Sequence, residues 1–286
     1  MEIGLRLHDT LPGSLQERLD QVKLQGFSCI QLAMQKSVPG FQMSMAPQLL
    51  TRELAAQVRE ELEQRGLSCA VLGCYLKLAD PDEESAEKTR QIYAAHLRFA
   101  RWIGARCVGT ETPPAPAAGE EYEGCRGEEH YLLLRDRLRP LVHVAEEEGV
   151  DLALEPVCSH ILHDTAITLR LLEELHSDRV RVILDAVNLI DSARVPVAGD
   201  IVEEAIAALG DVTTVLHMKD FLPQDARRPR PVACGLGQMD YRGLLSLAKR
   251  RHLPMTLENT TPENAQQTRL VLERLAEAAG GKETPC

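Results

Sequence analysis

Four short apolar runs in the second half of the chain each end on a side chain that can bind a metal or move a proton. The run from Val150 ends on Glu155, that from Val180 on Asp185, that from Val212 on His217 and that from Leu253 on Glu258. Each run has strand length and lies between helix-like segments. A polar group recurring at the carboxyl end of successive parallel strands is how a barrel builds an active site. Three carboxylates and one imidazole form a mixed N/O set able to hold one divalent cation.

Side chains alternate between the two faces of a strand. If Glu155 points into a barrel, Ala153 and Val157 do so too, while Leu154 faces the helices. The same phase turns Asp185 inward with Ile183, His217 with Val215 and Lys219, and Glu258 with Thr256. Buried carboxylates so close together repel and raise each other's pKa, and a bound cation relieves that cost. A single strand-end carboxylate is ordinarily a helix cap or an ion-pair partner; four at matching positions are not. His96, His130, His143, His176 and His252 fall in helical stretches and read as structural.

The elements needed to position these groups are legible along the whole chain. Strand-like runs occur near 2–7, 28–33, 68–74, 106–110, 151–155, 180–185, 212–217 and 253–258. Helical spacing occurs near 14–25, 48–65, 84–103, 129–148, 165–175, 200–209, 240–251 and 263–279. Alternating units of this number and length predict an α/β fold, a single (β/α)8 TIM barrel spanning 1–286. Leu54, Val58 and Leu62 share one helical face. Gly26, Gly66, Gly104 and Gly149 stand where helices end and strands begin. Asp82 or Ser85, Thr165 and Thr261 are candidate caps. Long loops are expected near 34–47, 111–128 and 218–239. The second contains Pro113, Pro114, Pro116 and several glutamates. The third contains the basic group Arg227, Arg228 and Arg230, read as a solvated loop or as a lid or anion contact.

Bulk properties narrow the partners. The 286 residues are 44% hydrophobic, enough for a large core. A net charge of −11 disfavours duplex nucleic acid and anionic membrane surfaces. The eight cysteines form no CxxC pair and most lie in strand-like runs, as buried reduced thiols would. The start of the chain lacks a basic region followed by an apolar one, and no apolar run reaches membrane-span length. These features predict a cytoplasmic protein acting on a small molecule, and a homo-oligomer is compatible with them.

Further motifs surround the four residues: Leu154, Glu155 and Pro156; Leu184, Asp185 and Asn188; the HxKD run His217 to Asp220; and the GxGxxD run Gly235 to Asp240. Together with Ile3, Gly4, His8 and Asp9 on the first strand, and Gly109 and Glu111 on the fourth, they resemble the xylose isomerase-like barrel superfamily. Within it the chain is similar to the sugar phosphate isomerase/epimerase branch, which includes tagatose/psicose 3-epimerases and inosose dehydratase. That resemblance implies one metal, often Mn²⁺, held by Glu155, Asp185, His217 and Glu258; Mg²⁺, Co²⁺ or Zn²⁺ also suit such ligands. It implies a Lewis acid at a carbonyl and a neighbouring hydroxyl of a sugar, with Glu155 and Glu258 as general acid and base around an enediolate.

The chain departs from the 3-epimerase pattern at Asn188, Ile161 and Pro223, where those enzymes carry His, Glu and Arg. His160, Asn188, Lys219, Glu111 and His8 are the candidate substrate contacts. For Lys219 the competing role is an ion pair within the acidic cluster. The expected activity is therefore a metal-dependent isomerase or epimerase on a small polyhydroxy carbonyl compound. The alternatives are a lyase dehydrating an inosose or keto-sugar and, less favoured, a non-catalytic sugar-binding barrel. A nuclease would need further His ligands where Gln31 and Gly73 to Tyr75 stand. Gly235 to Gly237 is too short for a phosphate loop and reads as a turn.

Overall fold

The computed structural model describes residues 1–113, 127–226 and 228–280, the side chains of 279 and 280 excepted. Eight parallel strands form the barrel. They are β1 (Ile3–Arg6), β2 (Cys29–Leu32), β3 (Ser68–Gly73), β4 (Cys107–Glu111), β5 (Asp151–Glu155), β6 (Val180–Leu184), β7 (Thr213–Met218) and, after a small hairpin of β8 (Asp220–Leu222) and β9 (Arg230–Val232), β10 (Met255–Leu257). Each barrel strand pairs with its sequence neighbours, and β10 closes on β1 with Gly4 opposite Thr256. The TIM barrel expected from alternation is the observed fold.

Among the described residues, eight helices of ten residues or more wrap the strands: α1 (Leu15–Leu24), α2 (Arg52–Arg65), α3 (Glu83–Ile103), α4 (Glu128–Glu148), α5 (Thr165–Leu175), α6 (Ala198–Leu209), α7 (Arg242–Arg251) and α8 (Ala265–Gly280). Helices on the outside leave barrel strands buried on both faces, which explains their near-continuous apolar runs. Leu152, Leu154, Val182, Leu184 and Leu216 join the core between strands and helices. Cys29, Ala70, Val71, Cys107, Ala153, Ile183 and Val215 form a separate cluster inside the barrel. Ala153, Ile183 and Val215 thus face the way the two-residue phase required.

Local chemistry sets the helix ends. Ser14 and Glu17 form a capping box on α1, Thr51 caps α2 and Asp82 caps α3. On α5 the cap is Asp164, whose carboxylate accepts from Ile167 N at 2.9 Å; Thr165, the expected cap, is instead the first helical residue. Gly66, Gly104 and Gly149 end α2, α3 and α4 in the left-handed conformation that a Cβ disfavours.

Two expected loops contain structure that periodicity did not predict. The segment 34–47 holds short helical turns at Met34–Ser37 and Met43–Met45 and enters a third at Ala46–Leu49. The segment 218–239 holds the antiparallel β8–β9 hairpin, too short to show a period in sequence. Of the remaining long loop, expected at 111–128, residues 114–126, with Pro114, Pro116 and its glutamates, lie outside the described residues, as do Arg227, Cys125 and Cys286. Cys29, Cys69, Cys74, Cys107, Cys158 and Cys234 are buried free thiols. No described helix is long and apolar enough to cross a membrane.

Candidate active site

The carboxyl ends of the strands carry the inward phase from an apolar floor to a polar mouth. On β5 the sequence runs from Ala153 to Glu155, on β6 from Ile183 to Asp185, and on β7 from Val215 through His217 to Lys219. Gly109 keeps the floor narrow: a Cβ there would lie 2.6 Å from both Ile183 Cδ1 and Val71 Cγ1. Above that floor, Glu155, Asp185 and His217 each present a ligand atom, all within 4.8 Å of one another and buried.

Asp185 is fixed by its own backbone. It caps the turn Ala186–Leu189, with Oδ1 accepting from Val187 N at 3.0 Å and Asn188 N at 3.2 Å. That leaves Oδ2 in the site, 2.6 Å from Lys219 Nζ. The same turn positions Asn188, whose Nδ2 donates to Glu155 Oε1 at 2.6 Å and whose Oδ1 accepts from Lys219 Nζ at 2.9 Å. His217 Nδ1 lies 3.2 Å from Glu155 Oε2 and 3.3 Å from Glu258 Oε1. Glu258 is held by Lys219 Nζ at 3.2 Å and by Arg6 Nη1 at 3.4 Å. Arg6 in turn pairs with Asp9, which also accepts from Thr260. Lys219 therefore does form the acidic-cluster ion pair weighed from sequence.

Burial and charge oppose each other throughout this cluster. Burial raises Asp185 to about 6, against the pull of Lys219. It would lower His217, but Glu155 and Glu258 outweigh it and raise the imidazole to about 9. Burial would also raise Glu258; Lys219, His217 and Arg6 instead hold it well below the usual carboxylate range. Lys219 is raised despite burial because Asp185, Glu258 and Glu155 surround it.

The donor set fits a divalent cation. His217 Nε2 is buried with neither a hydrogen-bond nor an ion-pair partner among the described residues, an arrangement that is costly unless something else engages it. Two carboxylates and an imidazole converging in this way match the N/O ligation of Mn²⁺, Mg²⁺, Co²⁺ or Zn²⁺. Glu258 stands against the triad through His217.

The remaining candidates take distinct places. Glu111 is opposite Glu155 in the β4–β5 register. Burial, then Glu155 and Glu258, raise its carboxyl to about 7. His160 Nδ1 lies 3.6 Å from Glu111 Oε2, and burial followed by Arg228 lowers the ring to about 4. His8 sits in the turn Leu7–Asp9 after β1, lowered to about 3 by burial, Arg6 and Lys36. Among the described residues no hydrogen bond or ion pair ties His8 or His160 directly to the four strand-end residues.

Arg6 and Asp9 were not foreseen as metal-site or substrate contacts, and Arg228 was foreseen only as part of a basic loop read as solvated or as a lid or anion contact. Arg6 was accessible to the period-two argument, because Gly4 faces Cys29 across the barrel wall and Arg6 is two residues on. Arg228 reaches Asn188 Oδ1 from the β8–β9 connection. No local sequence signal specifies that contact.

These features define a (β/α)8 barrel with a buried N/O ligand set at the carboxyl ends of its strands. A sequence profile described as "Xylose isomerase-like TIM barrel" matches residues 19–278, and the chain belongs to that family. Comparison with curated protein sequences gives no match. Among solved structures, the chain is similar to 3-keto-D-glucoside 4-epimerase from E. coli, with 17% identity, a TM-score of 0.73 and coverage of 96% of this chain and 99% of that one. It is similar to the IolI protein with a bound zinc atom, with 17% identity, a TM-score of 0.72 and full coverage of both chains. It is also similar to a probable 3-DHS dehydratase from Bacillus anthracis, with 14% identity, a TM-score of 0.70 and coverage of 99% of this chain and 100% of that one. At these identities the likeness is one of fold.

Proposed function

We propose that the protein is a divalent-metal-dependent isomerase or epimerase acting on a small polyhydroxy carbonyl compound through an enediolate. The observation that carries this reading is the placement of Glu155 and Glu258 against the same nitrogen of His217, 3.2 and 3.3 Å from its Nδ1, beside the Glu155, Asp185 and His217 triad. Glu155, Asp185, His217 and Glu258 would hold the metal, which when bound supplies Lewis-acid polarisation of a carbonyl. Mn²⁺ is the favoured ion.

The protein's own groups divide the proton work. Glu258, kept ionised by Lys219, His217 and Arg6, takes the proton from the carbon beside the carbonyl. Glu155, oriented by Asn188 Nδ2, returns a proton from the other side. Asp185 and His217 position the ion, while Lys219 and Asn188 bind substrate oxygens. His160, Glu111 and His8 line the approach.

A lyase is the second reading, and Glu111 favours it. A carboxyl raised to about 7 and adjacent to Glu155 in register can protonate a departing hydroxyl near neutral pH. Elemental analysis, followed by product analysis with ketoses and inososes, tests both. Glu155→Gln and Glu258→Gln should each weaken metal binding and, at saturating metal, still lose turnover. A purified protein that neither contains nor rebinds a divalent metal would exclude the proposal.

A further inference from the structure

The basic loop, read from sequence as solvated or as a lid or anion contact, comes back over the site. Its return is built by Asp220, whose carboxylate accepts from four backbone amides: Phe221 N at 2.8 Å, Gly235 N at 3.1 Å, Gly237 N at 2.9 Å and Met239 N at 2.8 Å. Gly237 is required there, because a Cβ would lie 2.2 Å from Phe221 O and 2.5 Å from Asp220 Oδ1. The HxKD and GxG motifs are thus two halves of one clasp. It fixes the base of the β8–β9 hairpin, and the connection between these strands carries Arg228.

Arg228 Nη2 donates to Asn188 Oδ1, the same carbonyl oxygen that accepts from Lys219 Nζ at 2.9 Å. An ammonium and a guanidinium therefore converge on one neutral acceptor. Their other surroundings differ. Lys219 is paired with Asp185 and Glu258, and Arg6, the other arginine at the mouth, with Asp9 and Glu258. Among the described residues, Arg228 has no carboxylate partner. Its charge is felt by Glu111, His160 and Cys158, and its one side-chain hydrogen bond among the described residues is with Asn188 at the mouth.

A metal bound by Glu155, Asp185 and Glu258 would draw on the carboxylates that now neutralise Lys219. Metal, Lys219 and Arg228 would then present four positive charges to those three carboxylates and to Glu111, whose carboxyl, raised to about 7, is only partly ionised near neutral pH. A neutral sugar leaves the guanidinium of Arg228 without an ion-pair partner among the described residues, whereas a ligand with one anionic group supplies one. The planar guanidinium fork matches a carboxylate or a phosphate in bidentate fashion.

We propose that Arg228, held over the mouth by the Asp220 clasp, binds an anionic group of the substrate, so that the substrate class is a carboxylate- or phosphate-bearing keto-sugar. This rests on the isomerase reading of the same mouth.

The test uses the full chain, both Mn²⁺-loaded and chelator-treated, with metal content measured on every sample. Calorimetric titrations with inorganic phosphate, D-fructose, D-fructose 6-phosphate and 5-keto-D-gluconate compare wild type, Arg228→Gln, Arg228→Lys and Arg230→Gln. Arg230 is exposed on the same hairpin and controls for loss of charge alone. In wild type, at least one anionic sugar should bind about tenfold tighter than D-fructose, the scale of one charge-assisted hydrogen bond. The phosphate and carboxylate arms identify which group it is. Arg228→Gln should abolish that preference, Arg228→Lys should retain part of it, and Arg230→Gln should retain it within about twofold. Equal binding of neutral and anionic sugars by wild type, or equal losses in Arg228→Gln and Arg230→Gln, would overturn the assignment. Failure to bind metal counts against the isomerase reading alone, because phosphate binding is read with and without it.

Discussion

Lys219 Nζ stands 2.6 Å from Asp185 Oδ2, and both side chains are buried. The ammonium supplies part of the positive charge that three neighbouring strand-end carboxylates require. Removing one member of a buried ion pair leaves the other uncompensated, at a typical cost of about 3–5 kcal/mol. Lys219→Met should therefore destabilise the chelator-treated protein by about 3 kcal/mol. Added Mn²⁺ should restore more stability to the variant than it adds to wild type. Thermal unfolding with and without metal measures both effects. A variant as stable as wild type in the absence of metal would show that Lys219 does not neutralise the cluster.

Metal binding should be strongly pH dependent. Glu155 and Glu258 hold His217 protonated up to about 9, and only the neutral ring can ligate. Between pH about 6 and 9, apparent metal affinity should rise about tenfold per pH unit. Below about 6, protonation of Asp185 should steepen the loss. The sign for the metal-free fold is opposite. The raised His217 pKa contributes stability that is complete below its ordinary value of about 6.5 and is lost as pH rises through about 9. Calorimetry at pH 7.5 in buffers of different ionisation enthalpy should report release of about one proton per metal bound. Binding without proton release would contradict the charged state assigned to His217.

The barrel and its inward-facing set were legible because two short-range rules act together. Period two placed Ala153 under Glu155 and Ile183 under Asp185, and glycine marked where helices stop. The rest depends on contacts between distant segments. Asp9 and Thr260 meet across 251 positions where β1 closes on β10. Arg228 reaches Asn188 only because Asp220 binds amides 15 to 19 residues further on. The capping of α5 was misplaced by one residue because Asp164 and Thr165 are both competent caps, and the stronger of the two, Asp164, takes the position. Lys219 lay on the expected face, but the sequence did not decide whether it meets substrate or carboxylate.

The Asp220 clasp predicts a local defect with a metal site left intact. Asp220→Ala removes the acceptor for four amides, three of them on the returning segment Gly235 to Met239. Unsatisfied buried amides cost about 1–3 kcal/mol each, partly recovered by water. A net loss of about 2–4 kcal/mol is expected, with proteolytic cleavage concentrated between 222 and 239. Metal content should persist, since Asp220 contributes nothing to the triad. Uniform loss of protection across the barrel would show that the clasp supports the whole fold rather than the hairpin.

Gly109 offers a test of how the floor positions the metal ligands. A methyl group at this position would meet Ile183 Cδ1 and Val71 Cγ1 at 2.6 Å, inside a cluster with no exposed member to yield space. Overpacking of this kind typically costs about 1–3 kcal/mol, so Gly109→Ala should lose that amount in chemical denaturation. Ile183 precedes Asp185 by two residues on one strand, so its displacement should carry Asp185 with it and weaken metal binding several-fold. Ile183→Val removes the clashing Cδ1. The double variant should regain part of both stability and affinity, giving a coupling of at least about 0.5 kcal/mol in a double-mutant cycle. Strict additivity would mean that the barrel absorbs the added methyl elsewhere, and that the small residue on β4 is not what sets the height of Asp185.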